Sequence, residues 1–451
     1  MPTQKENKMG TMPVKQLIIS MSLPMMISML VQALYNVVDS MFVARLSEDA
    51  LTAVTLAFPM QNALISFAAG TGVGINALLS RSLGEQKFDR ADQAANNGLF
   101  LGILTYILFL LIGLFAAGPF IGTQIKDPVV QEYGTVYLRI CLCLSFGAIF
   151  QITFERLLQS TGRTFYSMIS QATGAIINII FDPIMIFGLF GCPKMGVAGA
   201  ALATVLGQVI AACLSLFLNL KKNEDIHISL KQVLSPSLEI IKKIYFVAVP
   251  SILMMSIGSI MTYAMNQILG AFSKTATAVF GVYFKLQSFF FMPVFGLNNG
   301  LIPVLAYNYG ARRSDRIKEA LKFSMSLAVG IMLVGTLVFH LFPQALLGMF
   351  NASEEMLRIG VPALRIISLS FCLAGACIAM GSIFQAFSYS YYSLIVSVGR
   401  QLVVLIPVAM FLATFGEVIL IWWAFPIAEL MSTLLSIIFF IRLYNRTVKN
   451  L

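Results

Sequence analysis

Two aspartates stand in stretches otherwise built for hydrocarbon. Asp182 lies in NIIFDPIMIFG, residues 178–188, and Asp39 in YNVVDSMFVA, residues 35–44. Pro183 follows Asp182 directly, and its ring nitrogen carries no hydrogen, so the carbonyl of residue 179 loses its helical donor. Asn178 sits four residues before Asp182, on the same helix face. Such polar equipment at membrane depth is tolerated only where protein or a water-filled cavity covers it. Thr204, in the apolar run GVAGAALATV, adds a hydroxyl at a matching depth. Burial disfavours an ionised carboxylate, and a neighbouring carboxylate disfavours it further. A pair of this kind takes up a proton on one side of a membrane and releases it on the other. Equally, two ionised carboxylates with amide and hydroxyl oxygens suit a hard cation such as Na⁺. The residues leave both open.

Lys285 and Glu429 form a second set. Each lies roughly 14–17 Å along its apolar run at 1.5 Å per residue. Equal depth implies either a buried ion pair or a charged wall of a substrate path.

These groups need a scaffold that crosses lipid. Of the 451 residues, 58% are hydrophobic and 11% charged, against roughly 25% charged in a soluble domain. Apolar runs long enough to cross a bilayer recur throughout, and in lipid such runs must be helices. Twelve spans are expected: 14–42, 51–79, 96–120, 129–155, 164–190, 196–220, 240–271, 276–307, 319–346, 355–387, 391–415 and 418–443. With the amino terminus inside, about 22 of the 30 basic residues fall on the cytoplasmic side. The expected setting is therefore a prokaryotic cell (inner) membrane, crossed many times, with both termini cytoplasmic. Arg139, Lys285 and Arg365 are the basic residues read as lying within spans.

The net charge of +10 reflects that bias and not nucleic-acid binding, which needs a basic face on a soluble fold. His227 and His340 have no cysteine nearby, so zinc chemistry is not expected, and the six cysteines read as small buried hydrophobes. The amino terminus lacks a signal-peptide pattern. No GxxxxGK[ST], HExxH or GxSxG motif is present, which argues against an ATP-driven pump or a membrane enzyme.

The polar connection at 221–243 divides the chain near its middle. A single offset of 226 aligns Pro24 with Pro250, Gly70 and Gly74 with Gly296 and Gly300, and Gly84, Asp89 and Arg90 with Gly310, Asp315 and Arg316. Gly134, Arg139 and Gln159 likewise meet Gly360, Arg365 and Gln385. Order is kept over about 135 residues, so the chain is an internal repeat of two six-span halves in the same orientation. The expected units are 1–220, a linker at 221–239, and 240–451. Two such bundles rock against each other around a central cavity, and the glycine steps let backbones approach closely.

The chain resembles the multidrug and toxic compound extrusion (MATE) family, in its DinF-like branch. The likeness rests on LP at Pro24, Asp39 fifteen residues later, NIIFDPIMIFG, and GVAGAALATV with Thr204. It implies an all-α membrane fold of two pseudo-symmetric six-helix bundles that export organic cations and other amphipathic compounds in exchange for H⁺ or Na⁺. It makes Asp39, Asn178, Asp182 and Thr204 the cation site, able to hold Na⁺, and Pro24 the bending point of the first span. Some members carry acidic coupling residues in spans 7 and 10; GSIMTYAMNQILG and GACIAMGSIFQAF have none here, which favours coupling in the first bundle. A related fold also serves flippases of lipid-linked saccharides, but few basic residues are expected in the cavity. Flexible methionines and aromatic faces suit a promiscuous wall. Gln32, Tyr35, Met255, Met261, Tyr263, Asn266, Lys285, Gln287 and Glu429 are its expected lining. The expected partners are small cationic or amphipathic substrates and the lipid bilayer, with the protein a monomer and no cofactor besides the coupling ion.

Overall fold

A computed structural model describes residues 7–350 and 352–451; residues 1–6, which open the amino-terminal segment, lie outside the described residues. Among the described residues, ten helices are each long and apolar enough to cross a bilayer, and two helix pairs bent by 44° and 45° bring the total to twelve when each pair is taken as one span. The first bundle comprises α1 (Val14–Ala44), α2 (Glu48–Gly84), α3 (Phe88–Phe115), α4 (Pro128–Cys143, continuing as Phe146–Ser160), α5 (Thr164–Phe187) and α6 (Val197–Lys222). The second comprises α7 (Leu238–Gly270), α8 (Lys274–Gly310), α9 (Ser314–Leu341), α10 (Glu354–Ser368, continuing as Phe371–Ala386), α11 (Ser390–Ala413) and α12 (Val418–Arg446).

The offset of 226 reappears in atomic detail. Ser47 caps α2 and Ser273 caps α8, each accepting from the backbone three residues on, at 3.0 Å. Both helices run 37 residues and end at a glycine, followed by a non-glycine residue in left-handed conformation, Gln86 (φ 57°) and Arg312 (φ 55°). The turn is closed twice by the same bond, Lys87 N to Ser82 O and Arg313 N to Asn308 O, both 2.9 Å.

The repeat glycines join the bundles. A Cβ on Gly70 would meet the Ile252 backbone nitrogen at 2.9 Å, and one on Gly296 would meet Met26 Cα at 2.5 Å. A Cβ on Gly84 would lie 1.9 Å from the Tyr307 carbonyl oxygen, and one on Gly310 2.2 Å from that of Arg81. Each contact is the other's counterpart at the repeat offset. These crossings lie in the half of the molecule that carries the loops at 85–87, 161–163 and 311–313, rich in lysine and arginine, here termed the basic end. Arg156 Nη1 crosses to Asn299 Oδ1 (3.2 Å), and Ser22 Oγ donates to Leu297 O (3.4 Å). Asn62 Nδ2 reaches Ser259 Oγ (3.2 Å) nearer mid-depth.

The chain start adds a strap at the same end. Asn7 Nδ2 donates to Thr161 O of the first bundle (2.9 Å). Arg316 Nη2 of the second donates to Met9 O (3.0 Å) and Met12 O (2.7 Å), and Met9 is buried between them. The linker lies against α3, where Asn96 and Asn97 Oδ1 accept from Ser229 N (2.9 Å) and Ser237 N (2.7 Å).

The cysteines differ from expectation. Cys192 and Cys213 are exposed, and the other four are only partly buried. Cys192 sits in the turn between α5 and α6, and Cys213 lies on the outward side of α6, so apolar sequence context here means a lipid-facing or loop position.

Candidate functional site

Small residues set the first bundle's polar pocket. A Cβ on Gly207 of α6 would lie 2.6 Å from Gly174 O of α5, so these helices touch through their backbones. That approach brings Thr204 beside Asn178, whose Nδ2 donates to Thr204 Oγ1 at 3.2 Å and to Asp182 Oδ1 at 3.4 Å. The Thr204 hydroxyl hydrogen is already given to Ala200 O (3.1 Å), which leaves its oxygen as the acceptor. Asp39 of α1 faces Asp182 within hydrogen-bonding reach, and Tyr35, one turn earlier, lies beside both. Tyr137 and Cys141 of α4 close the pocket, with Gln61 Nε2 of α2 donating to Tyr137 Oη (3.4 Å). Tyr137 and Cys141 are marked in the sequence only by polar residues recurring four apart in α4, and Gln61 by nothing comparable.

Asp182 is fully buried. Asp39 Oδ1, Asp182 Oδ2 and Asn178 Oδ1 are buried without a hydrogen-bond partner, and among the described residues no basic side chain pairs with either carboxylate. Leaving such oxygens unsatisfied costs about 1–3 kcal/mol each, more for a charge. A proton or a desolvated cation is the kind of species that would satisfy them.

The MatE family model matches residues 24–184 and again residues 250–411, so the two matches begin 226 residues apart and cover most of the chain. The chain belongs to the MatE family. Among similar proteins, the multidrug export protein MepA of Staphylococcus aureus (strain MRSA252) is 25% identical over 442 residues, covering 96% of this chain and 95% of its own. MepA of Staphylococcus haemolyticus is 24% identical over 426 residues, 94% of this chain and 93% of its own. A MATE family transporter of the MOP superfamily, solved in an outward-facing conformation, superposes with a TM-score of 0.93 at 26% identity over the whole of both chains. A MOP superfamily transporter from Pyrococcus furiosus superposes with 0.92 at the same identity, again over both whole chains.

In the second bundle of this MatE chain the charges pair differently from the sequence expectation. Lys285 and Glu429 do not meet. Glu429 Oε2 accepts from Arg400 Nη1 (3.2 Å), and its Oε1 accepts from Ser432 Oγ (3.2 Å). Arg400 had not been read as a membrane-depth base. It lies in a π-helical stretch of α11, Gly399–Leu405, a departure from α-geometry often found at functional sites. Gln287 accepts from Tyr283 Oη (2.7 Å) on the inward face of α8. The pocket thus balances its own charge, unlike that of the first bundle.

The expected lining residues divide between exposed and interior positions. Met255 and Tyr263 are exposed, and Asn266 is partly exposed on the same helix. Met261 is buried in the second bundle's hydrophobic core and lines nothing. Gln287 lies nine residues before Gly296, about 180° around α8 from the inter-bundle contact, and so is turned away from the cleft. Gln32 accepts from Gln171 Nε2 of α5 (3.1 Å), inside the first bundle. Tyr35, about 180° from Met26 by the same geometry, points inward too. Pro24 leaves Ser20 O without its helical donor, and Thr164 Oγ1 of α5 supplies a replacement (3.3 Å). Helix α1 runs unbroken through it.

Proposed function

We propose that this protein is a secondary active antiporter of the cell membrane that exports cationic or other amphipathic compounds in exchange for H⁺ or Na⁺. The observation that carries the reading is the set of three partnerless buried oxygens on Asp39, Asn178 and Asp182. Two carboxyl groups this close cannot both stay ionised without a cation between them. Occupancy of the pocket therefore changes the charge held between α1 and α5. Helix α1 also carries Met26 and Ser22, which pack on α8, so one helix connects ion occupancy to the contact between bundles. The self-neutralised Arg400–Glu429 cluster offers no comparable vacancy of charge, which supports coupling in the first bundle alone. The positive-inside bias places the basic end in the cytoplasm. Contacts running from that end to the Asn62–Ser259 bond near mid-depth leave the outer part of the cleft open, ready to exchange substrate for the coupling ion. The names of the MepA relatives support multidrug export as the physiological setting.

Purified protein in sealed vesicles, loaded with a fluorescent dye under an imposed Na⁺ or H⁺ gradient, tests this. Wild type is expected to move dye with one of the two gradients, and Asp182→Asn and Asp39→Asn to lose that dependence. Export by both variants at the wild-type rate would overturn the coupling role.

A further inference from the structure

Lys285 is exposed on α8, eleven residues or roughly 16 Å from the helix start at Lys274. Among the described residues it forms no ion pair, because Glu429 is committed to Arg400. An ammonium against lipid tails at that depth is costly; such groups face a bundle interior or a water-filled path. The geometry of α8 decides which. Gly296 packs on Met26 of α1 and so marks the side of α8 that looks toward the first bundle. Lys285 precedes it by eleven residues, three turns and about 20°. Phe289, seven residues before Gly296 and exposed, lies about 20° to the other side. Tyr283 and Leu286, on other faces of the same stretch of α8, are buried in the second bundle's core. Lys285 and Phe289 therefore belong to the cleft wall.

The opposite wall carries no matching acid. Val37 of α1 stands eleven residues beyond Met26, hence at the level of Lys285 and on the same facing line, and Leu30 lies between. Both are exposed and apolar. Asp39 is about 140° around the helix from Met26 and sits inside the first bundle against Asp182. The cleft at this depth thus offers one free positive charge, an exposed phenyl ring and an apolar surface across from them.

We propose that the cleft prefers amphipathic molecules that carry an anionic group, a carboxylate or comparable oxyanion, seated on the Lys285 ammonium with the ring system between Phe289 and the apolar face of α1. The inference rests on the reading of the cleft as the transport path and narrows its substrate class. A purely cationic molecule meets repulsion at Lys285 and finds no facing carboxylate. A molecule bearing both charges keeps its acidic group on Lys285.

Tetramethylrhodamine and its methyl ester test this, since they share one ring system and differ only in whether the carboxyl group is free. Binding of each to the purified full chain is read by fluorescence anisotropy. Wild type is expected to prefer the free acid. Lys285→Gln should weaken the acid about tenfold and leave the ester bound as tightly as before or more tightly, the ester serving as the check that the variant is folded. Lys285→Arg should keep the preference, and Lys285→Glu should reverse it. The inference is overturned if wild type binds the ester at least as tightly as the acid, if it binds neither, or if Lys285→Gln weakens both alike. If the acid preference holds but neither ion gradient drives dye movement in vesicles, the antiport reading fails while this one stands.

Discussion

Arg400 Nη1 stands 3.2 Å from Glu429 Oε2 and ties the π-helical stretch of α11 to α12. The glutamate side chain is only 10% exposed and the arginine 30%. Removing the arginine leaves a buried carboxylate with a serine hydroxyl as its remaining partner. Breaking a buried pair costs about 3–5 kcal/mol, and the partial exposure of Arg400 places this one at the lower end. Arg400→Gln should lower the melting temperature of the purified protein, and Arg400→Leu with Glu429→Leu should recover most of the loss. No coupling is expected between Lys285→Gln and Glu429→Gln in a double-mutant cycle; a coupling as large as that of Arg400 and Glu429 would contradict the pairing described.

Gly84 and Gly310 occupy equivalent places in the basic-end closure. A methyl group at either would overlap a carbonyl oxygen of the other bundle. Overpacking of this kind costs roughly 1–3 kcal/mol, equivalent to about a fivefold to hundredfold change in the closed population. The Arg81 guanidinium lies over the Tyr309 ring at 4.8 Å, which makes that pair a reporter. In a background without native cysteines, cross-linking of Arg81→Cys with Tyr309→Cys should fall by at least about fivefold on adding Gly84→Ala, and similarly on adding Gly310→Ala. A large effect from one glycine with none from the other would argue against the pseudo-two-fold contact.

The amino-terminal strap is held by charge-assisted bonds from Arg316 to two backbone carbonyls. Bonds of that kind contribute about 1.5–3 kcal/mol each. Arg316→Ala should release the segment around Lys8, raising the rate of tryptic cleavage after Lys8 by about tenfold or more, read by mass spectrometry. Arg316→Lys should fall between. Unchanged cleavage in Arg316→Ala would mean that the bonds to Thr161 and Asn308 hold the strap without it.

Thr204 contributes only an acceptor oxygen to the ion pocket. Thr204→Val keeps the shape but leaves the Asn178 amide without that partner, and Thr204→Ser keeps the oxygen. Losing one hydrogen bond of about 1 kcal/mol should weaken coupling-ion affinity about fivefold in the valine variant, with the serine variant near wild type. The ion concentration giving half-maximal dye efflux measures both. Equal affinity in valine and wild type would remove Thr204 from the pocket's function.

Periodicity and composition made the spans, the repeat and the depth of Asp39 and Asp182 legible, because lipid imposes long apolar helices and penalises every charge within them. Rotation of each helix within its bundle was not legible. Tyr35, Gln32 and Gln287 turn inward, while Lys285 turns to the cleft. That difference arises from glycine contacts between elements far apart in sequence. Arg400 lies inside the expected span 391–415, about as far along it as Lys285 lies along its own, but nothing in the sequence sets it beside Glu429, and only the fold does. The 44° and 45° bends of α4 and α10 also left no sign, since no proline sits at either break.

The twin crossings at Gly84 with Tyr307 and at Gly310 with Arg81 make the seam between the bundles isologous: each half presents the same ridge and the same notch. A seam of that kind requires no peptide bond to hold it. The linker resting on α3 joins two partners already shaped to dimerise. The partnerless acids of one half and the Arg400–Glu429 pair of the other mark where two halves that share a seam differ in chemistry.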